Sequence, residues 1–295
     1  MPEGEKRRKG KKHTLPSACS ELEKIIEEQQ LSETQIEALI ECAKNPFINL
    51  RKNKYHFPGK HFKIGVVSDT HLNSKKCRLD VLHTLYSMFK KEGCQFVLHA
   101  GDITDGTRMY TGQIHEQWYV DVEDVIAFVA RQYPKVGIPT YFIAGKHDAS
   151  YLSKEKVDIC SAISAARPDL VYICQGEDLI HGIYEGNITL GDNKISIKIL
   201  HPEAGRAYTE SYQPQRIATS VTGGQKPNIL VVGRYHNAFR MPHRELNIIQ
   251  AGSTQDQTAN FLRKHWQSKL AGWIMDIRLN GATYIFNTEF IPFVK

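Results

Sequence analysis

Short apolar runs that each stop at acidic or imidazole side chains constrain this chain more than any other feature. Ile64-Gly65-Val66-Val67 runs into Asp69-Thr70-His71, and Phe96-Val97-Leu98 runs into Gly101-Asp102. Tyr141-Phe142-Ile143 leads to Gly145-Lys146-His147-Asp148, and Ile229-Leu230-Val231-Val232 leads to Gly233-Arg234-Tyr235-His236. Apolar runs of this length read as buried strands. Leu79, Leu82, Leu85, Tyr86 and Phe89 lie between the first two runs at helical spacing, and Val122, Val125, Ile126 and Val129 lie between the second and third. Strands alternating with amphipathic helices predict right-handed crossovers and a largely parallel sheet. Functional groups then gather at the carboxyl ends of the strands.

The second half is richer in β-structure. Asn187-Ile188-Thr189-Leu190, a Gly191-Asp192-Asn193 turn and Ile195-Ser196-Ile197-Lys198-Ile199-Leu200 alternate with period two, as a hairpin does. Leu246-Asn247-Ile248-Ile249 reads as another strand, and Asn280-Gly281 joins two more as a hairpin turn. The expected class is α/β, with two sheets face to face and helices outside.

The N-terminal part is different. Residues 1–13 hold six lysines and arginines against two glutamates, so they carry +4 of the net +6. Residues 1–16 read as a disordered basic tail: a solvated terminus, or one that raises affinity for phosphate backbones. Residues 17–62 read as a helical hairpin and linker. Ser20 with Glu23 and Ser32 with Gln35 fit capping boxes, and Pro58-Gly59 marks the linker. The hairpin packs on the main domain or reads DNA as a helix-turn-helix. Residues 63–295 form the main domain. No apolar run approaches the ~20 residues needed to span a bilayer. Six scattered cysteines without a CxxC read as reduced thiols, which points to a cytoplasmic protein with no membrane partner.

In order and spacing, these clusters resemble the calcineurin-like metallophosphoesterases, whose motifs run DxH, GDxx[DH], GNH[DE], a lone His and GHxH. The looser likeness is to phage and prokaryotic proteins of the DNA-repair-exonuclease-like type. The resemblance implies a four-layer αββα sandwich with the N-terminal helices as an extension. It also implies a divalent metal, Mn²⁺, Fe²⁺ or Zn²⁺, held by Asp69, His71, Asp102 and His236. It implies that His147 protonates the leaving oxygen or contacts the phosphate, with Asp148 orienting its ring.

The family's second ion has Asp102 and His201 here, but Lys146 and Arg234 stand at its other two ligand positions. Protonated lysine and arginine only donate hydrogen bonds. A unit charge ~4 Å from a divalent ion costs ~8 kcal/mol at an effective dielectric of ~20. The expectation is therefore one ion, with Lys146 and Arg234 neutralising Asp102 and gripping the substrate phosphate. The expected activity is metal-dependent phosphodiester hydrolysis on nucleic acid or a nucleotide. The alternative is a silenced scaffold that binds nucleic acid or a protein. Asp105 completes the GDxxD pattern, as outer-shell support or loop cap. His99 reads as a core histidine. Gln250 to Gln255 is a candidate to face substrate. Residues 260–269, with Arg263, Lys264, His265, Trp266 and Lys269, read as a surface for single-stranded nucleic acid or as an ordinary amphipathic helix.

Overall fold

The computed structural model describes residues 54–173, 184–192, 194–221 and 226–294. These belong to one compact unit, Asn53–Lys295. The tail expected over residues 1–16, and the part of the expected 17–62 hairpin and linker up to residue 53, lie outside the described residues. No helix among the described residues is long and apolar enough to cross a membrane.

The first sheet contains β2 (His61–Val67), β3 (Phe96–His99), β4 (Thr140–Phe142), β5 (Leu170–Tyr172), β11 (Ala271–Asn280) and β12 (Thr283–Pro292). Its order is β12-β11-β2-β3-β4-β5; β2 to β5 are parallel, and β11 and β12 each run antiparallel to their inner neighbour. The second sheet contains β1 (Lys54–Phe57), β6 (Glu185–Leu190), β7 (Ile195–Leu200), β8 (Ile229–Val232), β9 (Ala238–His243) and β10 (Leu246–Ala251). Its order is β1-β6-β7-β8-β10-β9, with the β6–β7 hairpin antiparallel and β7, β8 and β10 parallel.

Helices α1 (Leu79–Lys91), α2 (Val122–Gln132), α3 (Lys146–Glu155) and α4 (Ile159–Ala166) follow β2, β3 and β4 in the chain. Helix α1 turns Val81, Leu82, Leu85, Tyr86 and Phe89 inward. Phe89 lies so close to β2 that a Cβ on Gly65 would come within 2.7 Å of its ring. Helix α5 (Tyr212–Ser220) packs on the second sheet, and α6 (Ala259–Arg263) precedes β11.

The two sheets share one core. Phe57 of β1 stacks on Phe96 of β3 with ring centroids 4.3 Å apart, and Tyr55 meets Tyr141 of β4 at 5.4 Å. Strand β8 shows why its run is apolar throughout. Ile229 and Val231 join the core between the sheets, while Leu230 and Val232 pack with Ala218 and Ile217 of α5. A strand covered on both faces has no polar side to show. Helices outside two facing sheets make the αββα sandwich.

One boundary moves. The linker expected up to residue 62 contains β1, which pairs in parallel with β6, and β2 begins at His61. Tyr55 and Phe57 alternate onto the inter-sheet core, which is what draws this segment into the fold.

Candidate metal centre

The expected site residues all follow strand ends. Asp69 and His71 follow β2, and Asp102 follows β3. Lys146, His147 and Asp148 open α3 just after β4, His201 follows β7, and Arg234 and His236 follow β8. Five of these non-glycine residues hold a left-handed backbone: Asp69 (φ 50°), His71 (46°), Asp102 (55°), Arg234 (83°) and His236 (50°). Such a conformation costs roughly 1–2 kcal/mol per residue, so the surroundings must enforce it. They do so through main-chain bonds between the loops: Asp69 N to Gly101 O at 3.0 Å, His71 N to Asp102 O at 3.1 Å and Leu72 N to Ile103 O at 2.9 Å. Gly145 is needed where it stands, because a Cβ there would collide with the Asp102 carboxylate.

The side chains converge. His71 Nε2 lies 3.2 Å from His236 Nε2, 3.9 Å from Asp69 Oδ1 and 3.8 Å from Asp102 Oδ2. His236 Nε2 is 3.3 Å from Asp69 Oδ1, and His201 Nε2 is 3.1 Å from Asp102 Oδ2. Asp69, His71, Asp102, His201 and His236 are all buried. Two sets of donors close enough to share an ion include Asp69: one with His71 and His236, the other with Asp102 and His201.

The outer nitrogens of the imidazoles decide what the inner ones offer. His201 Nδ1 is 2.8 Å from Ala100 O, a carbonyl that can only accept, so Nδ1 carries the proton. Ser268 Oγ gives its proton to Gln255 O at 2.6 Å and so accepts from His236 Nδ1 at 3.3 Å. His71 Nδ1 faces the Asp105 carboxylate at 3.4 Å. The inner Nε2 atoms of neutral His201 and His236 are therefore lone pairs, and they meet carboxylate oxygens and the His71 ring; His71 Nδ1 has no aligned hydrogen-bond partner among the described residues. His201 Nε2 has no aligned hydrogen-bond partner despite its closeness to Asp102. Acceptors packed against acceptors require positive charge, either extra protons on the imidazoles or a divalent cation. An imidazole and carboxylate donor set suits Mn²⁺, Fe²⁺ or Zn²⁺, so the residues fit the ion that the motifs imply.

The electrostatics agree. Burial pushes the Asp69 carboxyl up, but His236, by charge and hydrogen bond, and His201 outweigh it and hold it at about 2. Asp102 is likewise held well below the usual carboxylate range: burial opposes this, and His201 and His147 prevail. Burial also opposes charge on His71 and His201, yet Asp105 and Asp102 raise the first and Asp102 raises the second. Burial lowers His236, and it pushes His147 down to about 4.

Several expected roles shift. Asp148 does not orient the His147 ring. His147 Nδ1 donates instead to the main-chain oxygen of Asp105 at 2.6 Å. The Asp148 carboxylate accepts from Ile103 N (3.1 Å), Thr104 N (2.9 Å), Thr104 Oγ1 (2.7 Å) and Gly145 N (2.9 Å), and so ties α3 to the Asp102 loop. Burial and nearby Asp102 raise its pKa to about 6. Lys146 does not neutralise Asp102 directly; its Nζ lies 3.9 Å from the Glu203 carboxylate. Main-chain amides reach the acids instead: His147 N donates to Asp102 Oδ1 at 2.8 Å, and Arg234 N donates to Asp69 Oδ2 at 2.9 Å. Both cationic side chains still line one cavity of about 310 Å³ with His71, Asp102, His147 and His236.

The segment from Gln250 to Gln255 mostly buttresses the site rather than facing the cavity. Gln250 Nε2 binds Val232 O and Gly233 O, and Ser253 Oγ binds Asp69 O. Gln255 donates to Asp105, as do Gln113 and Gln117, and it also reaches the cavity wall. Asp105 thus acts beneath His71 and His147. His99 is buried against Thr70 Oγ1 at 3.0 Å, and burial holds its pKa at about 3, as suits a neutral core histidine. Of residues 260–269, only the first part is helical.

Ser268, Glu203 and Arg206 were not singled out from the sequence. Isolated serines and surface charges carry no motif, and only the fold brings them to the site.

The calcineurin-like phosphoesterase family model matches residues 62–208. With the two-sheet fold, this places the chain in the calcineurin-like metallophosphoesterase superfamily. No curated protein matches it significantly. Similar solved structures include a novel archaeal phosphodiesterase, 13% identical, covering 78% of this chain and 100% of its own, with a TM-score of 0.41. Wild-type Vps29 of Entamoeba histolytica complexed with zinc is 11% identical, covering 78% and 99%, with a TM-score of 0.37. A predicted phosphoesterase of Streptococcus pneumoniae is 10% identical over 78% and 99%, also with a TM-score of 0.37.

Proposed function

We propose that this chain hydrolyses phosphodiesters of nucleic acid or nucleotide type at a centre holding one divalent ion. The observation that carries the reading is the convergence of inward-facing lone pairs and ionised carboxylates from Asp69, His71, Asp102 and His236. An ion held there supplies Lewis acidity to the phosphoryl oxygens and to the attacking water. The chain's own residues do the rest. Arg234 and Lys146 line the cavity beside the cluster and attract the phosphate, and arginine can grip it with two parallel hydrogen bonds. His147, fixed through Nδ1 on Asp105 O, turns Nε2 toward the substrate. The negative charge of a bound phosphate raises its low pKa, and the ring then passes a proton to the leaving oxygen. Asp148 holds the loop that carries Asp102.

The likeness to DNA-repair-exonuclease-like phosphoesterases supports a diester rather than a phosphoprotein. A second reading, a silenced scaffold, draws on Lys146 and Arg234 at second-ion positions. One experiment separates them: hydrolysis of an activated phosphodiester with Mn²⁺, together with metal content per chain. The expected result is one equivalent of metal and turnover by the wild type. Turnover only by the Lys146→Asn/Arg234→His double variant would establish the scaffold. Two equivalents in the wild type would end the one-ion reading.

A further inference from the structure

The cavity that Lys146 and Arg234 line carries a second group of cations. Arg206 and Lys264 line it with Phe261 and Trp266. A run of ring contacts leads there from the metal centre: Phe261 lies 4.7 Å from His236, and Trp266 lies 5.7 Å from Phe261. The Arg206 guanidinium sits 5.3 Å from the Trp266 ring centre, and Lys264 Nζ sits 4.7 Å from it.

Arg206 is held in a way that prepares it for an anion. It donates to Gln267 O at 3.0 Å and to Asn237 Oδ1 at 2.7 Å, both neutral acceptors. Two of the five N–H groups of a guanidinium are thereby used, and three remain. Among the described residues no carboxylate lies within ion-pair distance of Arg206 or of Lys264. The acid whose charge acts on Arg206, Glu210, is engaged by Lys269 at 3.1 Å. A partly buried cation fixed by neutral groups is uncompensated, and an anion is what completes it. Trp266 already carries both cations, so the ring serves as their platform rather than as an open face for a base.

We infer that Arg206 and Lys264, braced on Trp266, form a subsite for a second phosphate, the one next to the scissile phosphate in a nucleotide chain. This rests on the cavity being a phosphoester site and deepens that reading to a substrate class. The substrate carries at least two phosphate groups and enters as a chain end. A cavity of about 310 Å³ lies at the small end of ligand clefts, the size of a nucleotide unit.

The test is titration calorimetry on the full chain at fixed ionic strength. Thymidine 3′,5′-bisphosphate, thymidine 5′-monophosphate and inorganic pyrophosphate are compared, with hydrolysis of an activated diester followed in parallel. The wild type should bind the bisphosphate about tenfold or more tightly than the monophosphate, as befits charge-assisted contacts. Arg206→Gln should remove most of that difference. Lys264→Gln, at a side chain that makes no hydrogen bond among the described residues, should remove part of it and guards against misfolding of the first variant. Equal wild-type affinity for the two nucleotides overturns the subsite. Pyrophosphate binding as tightly as the bisphosphate overturns the nucleotide assignment. Discrimination without hydrolysis would sink the proposed activity while the subsite stands, and hydrolysis without discrimination would do the reverse.

Discussion

The two halves of the centre are built on opposite terms. Around Asp69 and His236 the outer atoms are committed, Ser68 and Arg234 N to Asp69 and Ser268 to His236, and the Asp105 carboxylate faces His71 Nδ1 at 3.4 Å. Around Lys146 and Arg234 the side chains lie at the cavity wall, and Lys146 meets only a loose contact with Glu203 at 3.9 Å. The first half is preorganised to hold a small cation. On the proposed reading, the second half offers cationic side chains to an arriving phosphate.

The sharpest way to break this comparison is at the committed half. Asp69→Asn and His71→Ala should each lower phosphodiester hydrolysis by about 10³-fold, since Lewis-acid stabilisation is worth several kcal/mol. Metal content measured on the same samples should fall with activity; full activity in metal-free variants would dissolve the contrast. Next in size is a stability effect. Asp148→Ala leaves four donors without their acceptor and should cost about 3 kcal/mol, read as a denaturant midpoint. Lys146→Ala, at a half-exposed cation with one loose ion pair, should cost under about 0.5 kcal/mol. Equal costs would show that the altered half is as firmly built as the other. The smallest effect tests a supporting bond: Ser268→Ala frees the His236 tautomer and should weaken metal binding about tenfold, as loss of a ligand's outer partner does. Unchanged affinity by calorimetry would mean that Ser268 only fills space.

Much of this was legible in the sequence because strand ends carry the chemistry. A buried parallel strand must be apolar, so Ile229 to Val232 announces itself, and a polar cluster after it has few structural reasons to be there. The Asp69, His71, Asp102, His201 and His236 positions were accessible in that way. Contacts formed across the fold were not. Asp148 follows His147 in the chain, and adjacency suggests a pair; the helix that starts at Lys146 turns the carboxylate away, toward Thr104. Lys54 to Phe57 is short and mixed in polarity, so only its pairing with β6 and its two aromatic rings in the core reveal a strand. Arg206 and Trp266 are far apart in sequence, and nothing local pairs them.

Asp69 has a further consequence. It comes from one sheet, and the amide that grips its carboxylate, Arg234 N, comes from the other. Ser253, beyond β10, grips its main-chain oxygen. The same carboxyl that offers oxygens to a cation is therefore a latch across the seam of the sandwich. Any slippage between the layers would spoil the cage, and anything that fills the cage would stiffen the layers. The capacity to hold a cation and the cohesion of the layers meet at this residue.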